Sequence, residues 1–227
     1  ANQRVSRFLA VLSHELRNPL SGMSAAIELL LREDPDAQQR DQALMTLQRQ
    51  NRHLQRMIED LLDISRVTQG HLDLRREHVE LGALLDEVRS DNLARAHSEG
   101  LRIEPVNVTA PQYVHGDRAR LRQVFDNLIS NAIKASTQGQ CIRIDIGAEA
   151  DHAVVVVSDE GQGLAPEIAT KLFKPFVQTP TWRSHGLGLG LNIVKTLVEL
   201  HEGTVIATSE GPGNGSRFIV RLPQAGE

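Results

Sequence analysis

The first 64 residues repeat apolar side chains at helical spacing, and this pattern limits the N-terminal part of the chain to helices with one buried face. Apolar residues recur three or four positions apart from Val5 to Leu30 and again from Leu44 to Ile64. At about 100° per residue, those of the first stretch fall within an arc of roughly 120°. The polar, proline-broken segment REDPDAQQ, residues 32–39, separates the two stretches. We therefore predict a helical hairpin.

Two helices bury too little apolar surface to be stable alone. The apolar faces therefore predict pairing with a second copy of the chain into a dimeric four-helix bundle. We expect a homodimer.

The periodicity changes after VTQGHLDLRREH, residues 67–78, and strand-like segments then alternate with helix-like ones. We predict an α+β chain: a dimerisation hairpin over 1–68, a linker over 69–78, an α/β-sandwich domain over 79–223 and a tail over 224–227. The helices predicted for the sandwich domain are 81–99, 117–136 with Asp117 as N-cap, and 189–202 ended by Gly203. The predicted strands are 71–78, 101–108, 113–114, 141–148, 153–158, 204–209 and 217–222.

Composition excludes several classes of function. The net charge is −4, the 25 basic residues are scattered, and aromatic residues make up only 3%, so we expect no nucleic-acid partner. No apolar run approaches the roughly 18 residues of a membrane span, so we expect no direct membrane insertion of this segment. A single cysteine, Cys141, excludes an intrachain disulfide and favours a reducing, cytoplasmic location. Since the helical pattern is already under way at the first residue, we expect upstream sensory or membrane-anchoring parts to be missing.

The segment SHELRNPL places reactive polar groups on the first helix. His14 lies about 200° from Leu12, opposite the apolar face, with Asn18 one turn away. Neutral imidazole is a good nucleophile near pH 7, and a neighbouring carboxylate such as Glu15 makes it more electron-rich. Pro19 lacks a backbone N–H and should bend the helix just beyond His14. An exposed helix histidine beside a tolerated proline fits the same pattern.

Three segments of the second domain carry groups suited to a nucleotide. In FDNLISNAIKAS, Asn127, Asn131 and Lys134 share one helix face, where amide oxygens can bind Mg²⁺ and an ammonium can meet a phosphate. In SDEGQG, Asp159 ends a buried strand and can accept a hydrogen bond from a purine amino group. GLGLGL leads into a helix whose N-terminus favours bound phosphate. Neither a P-loop nor a Rossmann motif fits these glycines.

In their order along the chain, these segments resemble the sequence boxes of two-component sensor histidine kinases. SHELRNPL resembles the H box of the HisKA class, DNLISNAIK the N box, DEGQG the G1 box, FKPF the F box and GLGLG the G2 box. The resemblance covers nearly the whole chain and implies an ATP-dependent protein-histidine kinase. It also implies ATP and Mg²⁺ as cofactors and a response-regulator receiver domain as partner.

The resemblance also implies a role for each matching residue. His14 would accept the phosphoryl group, with Glu15 as its acid–base partner and Asn18 orienting water for dephosphorylation of the regulator. Asn131 would bind Mg²⁺, with Asn127 and Lys134 beside the phosphates. Asp159 would read adenine, in a pocket shaped by Gly161 and Gly163. The remaining residues would form a lid over the triphosphate: Phe173 and Phe176 as anchors, Gly186, Gly188 and Gly190 as hinges, and Arg183 or His185 at the γ-phosphate.

The chain departs from the family pattern at three places, one of which is a short lid between Gln178 and Gly186. Ala135 follows Lys134 where the family usually has an aromatic residue near the adenine, so we expect weaker ATP binding by about 1 to 3 kcal/mol unless another group such as Trp182 compensates. Arg217 occupies a position where threonine is common.

Two other functions remain open on the residues alone. One is ATP hydrolysis, as in the gyrase, Hsp90 and MutL relatives of the ATP-binding fold, which resemble each other in carrying a glutamate base four residues before the metal-binding asparagine. Here that position is Asn127, and the adjacent Asp126 is turned about 100° away, which argues against hydrolysis. A dimeric scaffold that binds nucleotide without phosphotransfer is the second alternative.

Overall fold

The computed structural model describes residues 2–32, 36–68, 73–169, 171–174 and 188–225. The described helices are α1 (Asn2–Leu30), α2 (Ala37–Thr68), α3 (Leu81–Ser98), α4 (Arg118–Ala135), α5 (Pro166–Ala169) and α6 (Gly190–Leu200). The described strands are β1 (Glu77–Glu80), β2 (Arg102–Ile103), β3 (Asn107–Val108), β4 (Tyr113–Gly116), β5 (Cys141–Glu149), β6 (His152–Asp159), β7 (Thr204–Thr208) and β8 (Ser216–Pro223). The predicted α+β class is confirmed.

Helices α1 and α2 form one compact unit, the predicted hairpin. Small or flexible residues fill the space between them, among them Ala26, Ala43 and Met57, which are almost fully buried. Much of the predicted apolar face is nevertheless exposed in the single chain. Large apolar side chains at least 46% exposed are Leu20, Ile27, Leu31, Leu44, Met45, Ile58 and Leu62.

The second unit is a two-layer sandwich of helices on a sheet. Its larger sheet has the order β2–β5–β6–β8–β7, with β3 also paired to β5, and a separate pair joins β1 to β4. Helix α4 packs on β5 and β6 and is flanked by α3 and α6. The buried face follows from strand alternation, since partners in register such as Ile144, Val157 and Phe218 are all at most 1% exposed. Among the described residues, no helix has the length and apolar content of a membrane span.

Several sequence predictions of elements were wrong in detail. The strand predicted over 71–78 occurs at Glu77–Glu80, and residues 73–76 are not a strand. The strand predicted over 101–108 is split into β2 and β3, with Pro105, which has no N–H for a ladder, between them. Helix α3 has an unforeseen N-cap, because the Glu80 carboxylate accepts hydrogen bonds from the N–H groups of Gly82 (2.9 Å) and Ala83 (2.6 Å). Asp117 was predicted correctly as an N-cap, since it accepts from the N–H of Arg120 at 3.1 Å.

The segment just before β1 is attached to two helices of the second unit. The N–H of Arg75 donates to Asp117 Oδ2 at 3.0 Å, at the start of α4. Arg76 donates to the carbonyl of Leu200 at 3.0 Å and forms an ion pair with Glu202 at 2.9 Å, at the end of α6. Residues 75 and 76 therefore hold the first turn of one helix and the last turn of another.

Buried His201 joins the same two helix ends. Its Nε2 accepts from the N–H of Asp117 at 2.9 Å, and its Nδ1 lies 2.7 Å from the carbonyl of Leu197. These partners fix the neutral ring with its proton on Nδ1, because a carbonyl only accepts and an N–H only donates. Burial lowers the pKa of His201.

Candidate functional site

His14 lies on an exposed part of α1, as the helical periodicity predicts. The amide nitrogen of Asn18, one turn along the helix, lies 3.4 Å from Nδ1 of the His14 ring. Pro19 is buried, and the helix continues through it to Leu30. Glu15 lies in the same helix, but its side chain falls outside the described residues.

Asp159 ends β6 on the buried face of the sheet. The register places it between Ile142 and Ser216, so strand alternation brings its carboxylate to the core side, where it is 7% exposed. Oδ1 accepts the N–H of Gly161 at 2.9 Å, and Oδ2 accepts a short hydrogen bond from the Ser216 hydroxyl. Burial raises the pKa of Asp159, and the hydrogen bonds from Ser216 and Gly161 oppose that rise.

Gly161 and Gly163 stand where the backbone leaves no room for a side chain. A Cβ on Gly161 would lie 2.3 Å from the carbonyl oxygen of Ala135, the last residue of α4. Gly163 has a φ of +66°, and its Cβ would lie 2.1 Å from the carbonyl oxygen of Gly211. The N–H of Gln162 donates to the Ala135 carbonyl at 3.0 Å, so this loop is fixed directly to the C-terminal end of α4.

The predicted polar face of α4 is half-buried along Asn127, Asn131 and Lys134. The start of α6 reaches the same face, since a Cβ on Gly190 would lie 3.2 Å from Asn127 Oδ1. Gly188, two residues earlier, has a φ of +66°. The structure therefore brings the N-box and G2-box residues together at Asn127 and Gly190.

Phe173 contacts the core of the second unit. Its ring meets Phe218 edge to face, with centroids 6.4 Å apart, and its carbonyl accepts from the Asn192 side chain at 3.1 Å. Four of the predicted lid residues, Phe176, Arg183, His185 and Gly186, lie outside the described residues. So does Trp182, the group named above as able to compensate for Ala135.

Sequence reasoning missed two serines that hold Asp159 and the loops around it in place. Ser216 donates to Asp159, and Ser209 Oγ accepts from the N–H of Leu164 at 3.0 Å while donating to the Gly215 carbonyl at 2.6 Å. The glycine-containing segment GNGS, residues 213–216, was the available signal for Ser216. The signal was weak because the contact spans 57 residues and depends on the β6–β8 register.

The residues present fit a magnesium nucleotide. Among the described residues, no group of three or more His, Cys, Asp or Glu side chains could hold a metal ion. Mg²⁺ is commonly held by one or two protein oxygens together with water and substrate phosphates. The half-buried amide of Asn131 suits that kind of coordination.

Comparison with known proteins finds two family models that match the chain, one in the helical hairpin and one in the second unit. Residues 4–70 match the model of the His Kinase A (phospho-acceptor) domain, and residues 116–226 match that of the histidine kinase-, DNA gyrase B- and HSP90-like ATPase. The chain belongs to the sensor histidine kinase family.

Among relatives of this histidine kinase chain, the sensory/regulatory protein RpfC of Xanthomonas campestris is 36% identical, over 99% of this chain and 32% of its own length. The autoinducer 2 sensor kinase/phosphatase LuxQ of Vibrio parahaemolyticus is 34% identical, over 95% of this chain and 26% of its own length. The solved full-length ShkA in complex with AMPPNP has a TM-score of 0.73 and 31% identity, over 96% of this chain and 46% of that one. The chain thus spans about a quarter to a third of the length of the curated relatives RpfC and LuxQ.

Proposed function

We propose that this chain is the catalytic core of a protein-histidine kinase. It uses ATP to phosphorylate His14 and passes the phosphoryl group to an aspartate of a response-regulator receiver domain. Family membership supports the reaction class, and the arrangement along α4 supports the assignment of residues.

The single observation that supports a nucleotide site here is that two glycine-containing segments lie against the same helix, α4. Gly161 lies against the carbonyl of Ala135, and Gly190 lies against Asn127. These two positions of α4 are eight residues apart, which is about 12 Å along the helix axis. An extended nucleoside triphosphate needs a surface of comparable length between its base and its phosphates. The solved complex of the relative ShkA contains AMPPNP, an ATP analogue.

In this proposal each group has a position that suits its role. The Asp159 carboxylate accepts a hydrogen bond from the exocyclic amine of adenine, at the Ala135 end of α4. Asn127, Lys134 and the N-terminus of α6 face the phosphates, where N–H groups and an ammonium stabilise negative charge. Asn131 supplies an amide oxygen to Mg²⁺, which offsets the charge of the transferring group when it is bound.

His14 is the proposed nucleophile. Its ring nitrogen forms a bond to the γ-phosphorus while the bond to the leaving ADP breaks, and the Glu15 carboxylate takes the proton of the other ring nitrogen. Asn18 is close enough to influence the ring. The two ends of an amide have nearly the same shape, so a half-turn of the Asn18 amide is easily accommodated. Before the attack, the turned amide would accept a hydrogen bond from Nδ1–H, the proton that Glu15 then takes, and the lone pair on Nε2 would be left for the γ-phosphorus.

We also propose that the chain dephosphorylates its regulator, with Asn18 orienting the attacking water. The amide lies beside the His14 ring, so a receiver docked for phosphotransfer would bring its aspartate near the same amide. An Asn18→Ala variant that autophosphorylates normally but no longer dephosphorylates the regulator would support this role. Unchanged dephosphorylation would exclude it.

The proposed active form is a homodimer. The apolar side chains that α1 and α2 leave exposed would pair with those of a second copy, which completes a four-helix bundle. Sedimentation of the chain should give twice the monomer mass. We place the chain in the cytoplasm as part of a larger sensor.

The decisive experiment is incubation with γ-labelled ATP and Mg²⁺. Kinase activity predicts protein-bound label that is acid-labile, lost in His14→Ala and retained in His97→Ala, which removes an exposed histidine of α3. Released phosphate without protein label would favour hydrolysis. The absence of both protein label and released phosphate would favour the nucleotide-binding scaffold. Asp126 is poorly placed to act as the base for hydrolysis, because its carboxylate accepts a hydrogen bond from the Asn92 side chain of α3 at 2.8 Å.

A further inference from the structure

Two histidines lie side by side on the small sheet formed by β1 and β4. His78 is directly opposite His115 in the antiparallel register, and both side chains are exposed. Their ring centroids are 6.2 Å apart, with an angle of 63° between the ring planes. Neither residue belongs to the kinase site described above.

The register places this pair at the closer kind of antiparallel position. The N–H of Leu81 donates to the carbonyl of Gln112 at 2.9 Å, one step beyond the β1–β4 pairing and in the same register. Hydrogen-bonded and non-hydrogen-bonded pairs alternate along a ladder, so His78 and His115 form a non-hydrogen-bonded pair. Side chains at such pairs start from Cα atoms only about 4.5 Å apart and point to the same side of the sheet.

Two imidazoles in this position can bind one metal ion. With metal–nitrogen bonds of about 2.0 to 2.1 Å and a tetrahedral angle, the ring centroids would be about 5 Å apart. The observed rings must therefore approach by about 1 Å, which exposed side chains achieve by rotating about χ1 and χ2. Ions that prefer imidazole nitrogen are Cu²⁺, Zn²⁺ and Ni²⁺.

The neighbouring side chains leave the site with two protein ligands. Glu80 lies on the same face of β1 as His78, but its carboxylate is engaged by the N–H groups of Gly82 and Ala83. Tyr113 lies beside His78, with ring centroids 6.4 Å apart, and covers one side of the pair. Water would complete the coordination, so the site would exchange its ion readily.

We propose that His78 and His115 bind one divalent transition-metal ion of the imidazole-preferring class, with Zn²⁺ as the test ion. The ion would join β1 to β4 and so stabilise the strand that follows the Arg75–Arg76 segment. The pair lies near the N-terminal end of α4, and Asn131, the proposed Mg²⁺ ligand, is 13 residues beyond Arg118, about 20 Å by helix rise. The ion would therefore bind apart from the proposed Mg²⁺ position.

The test is a calorimetric titration of the whole chain, without a histidine tag or nucleotide, with zinc chloride. We expect a binding event that persists in excess Mg²⁺, because Mg²⁺ prefers oxygen ligands. His78→Ala and His115→Ala should each weaken it at least about tenfold, since one imidazole remains. Zinc should also raise the melting temperature of the wild type, and this shift should be lost in both variants.

Matched variants separate the site from zinc bound elsewhere. His97→Ala removes an exposed histidine of the same unit and His152→Ala a half-buried one, and both variants should leave the titration unchanged. His78→Gln keeps a polar side chain in the strand and serves if the alanine variant folds poorly. Identical titrations of the wild type and the His78 and His115 variants, or no binding to the wild type, would overturn the proposal. The pair would then be a ring contact only. Neither result bears on phosphorylation of His14.

Discussion

Replacing Gly161 with alanine tests the close approach between this glycine and the end of α4 on which the proposed nucleotide site depends. The added Cβ would lie 2.3 Å from the Ala135 carbonyl oxygen and 2.9 Å from Asp159 Oδ1. Carbon and oxygen atoms that are not bonded to each other need more than 3 Å, so the loop must move by about 1 Å. Because the obstacle is the backbone of a buried helix end, the loop is the part that gives way.

The cost follows from what that movement breaks. Overpacking a tight site costs about 1 to 3 kcal/mol. The hydrogen bonds from Gln162 N–H to Ala135 and from Gly161 N–H to Asp159 are each worth about 1 kcal/mol. We therefore expect Gly161→Ala to lower the free energy of unfolding of the second unit by about 3 to 5 kcal/mol. ATP affinity should fall with it, because Asp159 is displaced.

Gly147→Ala is the matched control. Gly147 lies within β5, and the nearest atom to its Cβ would be Thr109 Oγ1 at 4.0 Å. Since glycine weakens a strand, alanine should leave stability unchanged or raise it by up to about 1 kcal/mol. Urea denaturation followed by circular dichroism, with titration of a fluorescent ATP analogue, measures both effects. A loss below 1 kcal/mol with wild-type nucleotide affinity in Gly161→Ala would refute the reasoning.

Three further substitutions test single groups. Asp159→Asn should weaken ATP binding by about 10- to 150-fold in a calorimetric titration, which is the value of a hydrogen bond to a charged group. The same variant should lose no stability at pH 7, because burial disfavours the charged carboxylate that it removes. Glu80→Ala should cost about 1 to 2 kcal/mol in urea denaturation by removing the N-cap of α3, whereas exposed Glu77→Ala should cost little. His201 has a lowered pKa in the folded chain, so at a pH below its ordinary pKa of about 6.5 the unfolded chain binds more protons than the folded chain. Stability should therefore fall from pH 7 to 5.5, and less so in His201→Gln.

Local signals made much of the fold predictable from the sequence. The helical period of 5–30 and 44–64, the Asp117 N-cap and the buried run at 154–157 each depend on neighbours in the chain. The order of the five polar and glycine-rich segments then indicated the family. Such features require no knowledge of which strands pair.

Features that depend on distant partners were not predictable in the same way. Strand β1 exists because β4 pairs with it, and its own four residues, EHVE, carry almost no strand pattern. The Ser216 hydroxyl reaches Asp159 only through the β6–β8 register. The contact of Gly161 with Ala135 needs the end of α4 to meet a loop 26 residues away, and sequence spacing does not indicate such a meeting.

The attachment of Arg75 and Arg76 has a practical consequence for any isolated ATP-binding fragment. A fragment begun at residue 79 would discard both arginines and half of β1, so Asp117 Oδ2 would lose its N–H donor and the last turn of α6 its guanidinium. Those two helices carry Asn127 and Gly190, so the truncation would weaken the opposite ends of the two helices that form the proposed nucleotide site. A boundary at residue 73 keeps all of these contacts and is the better choice for expression.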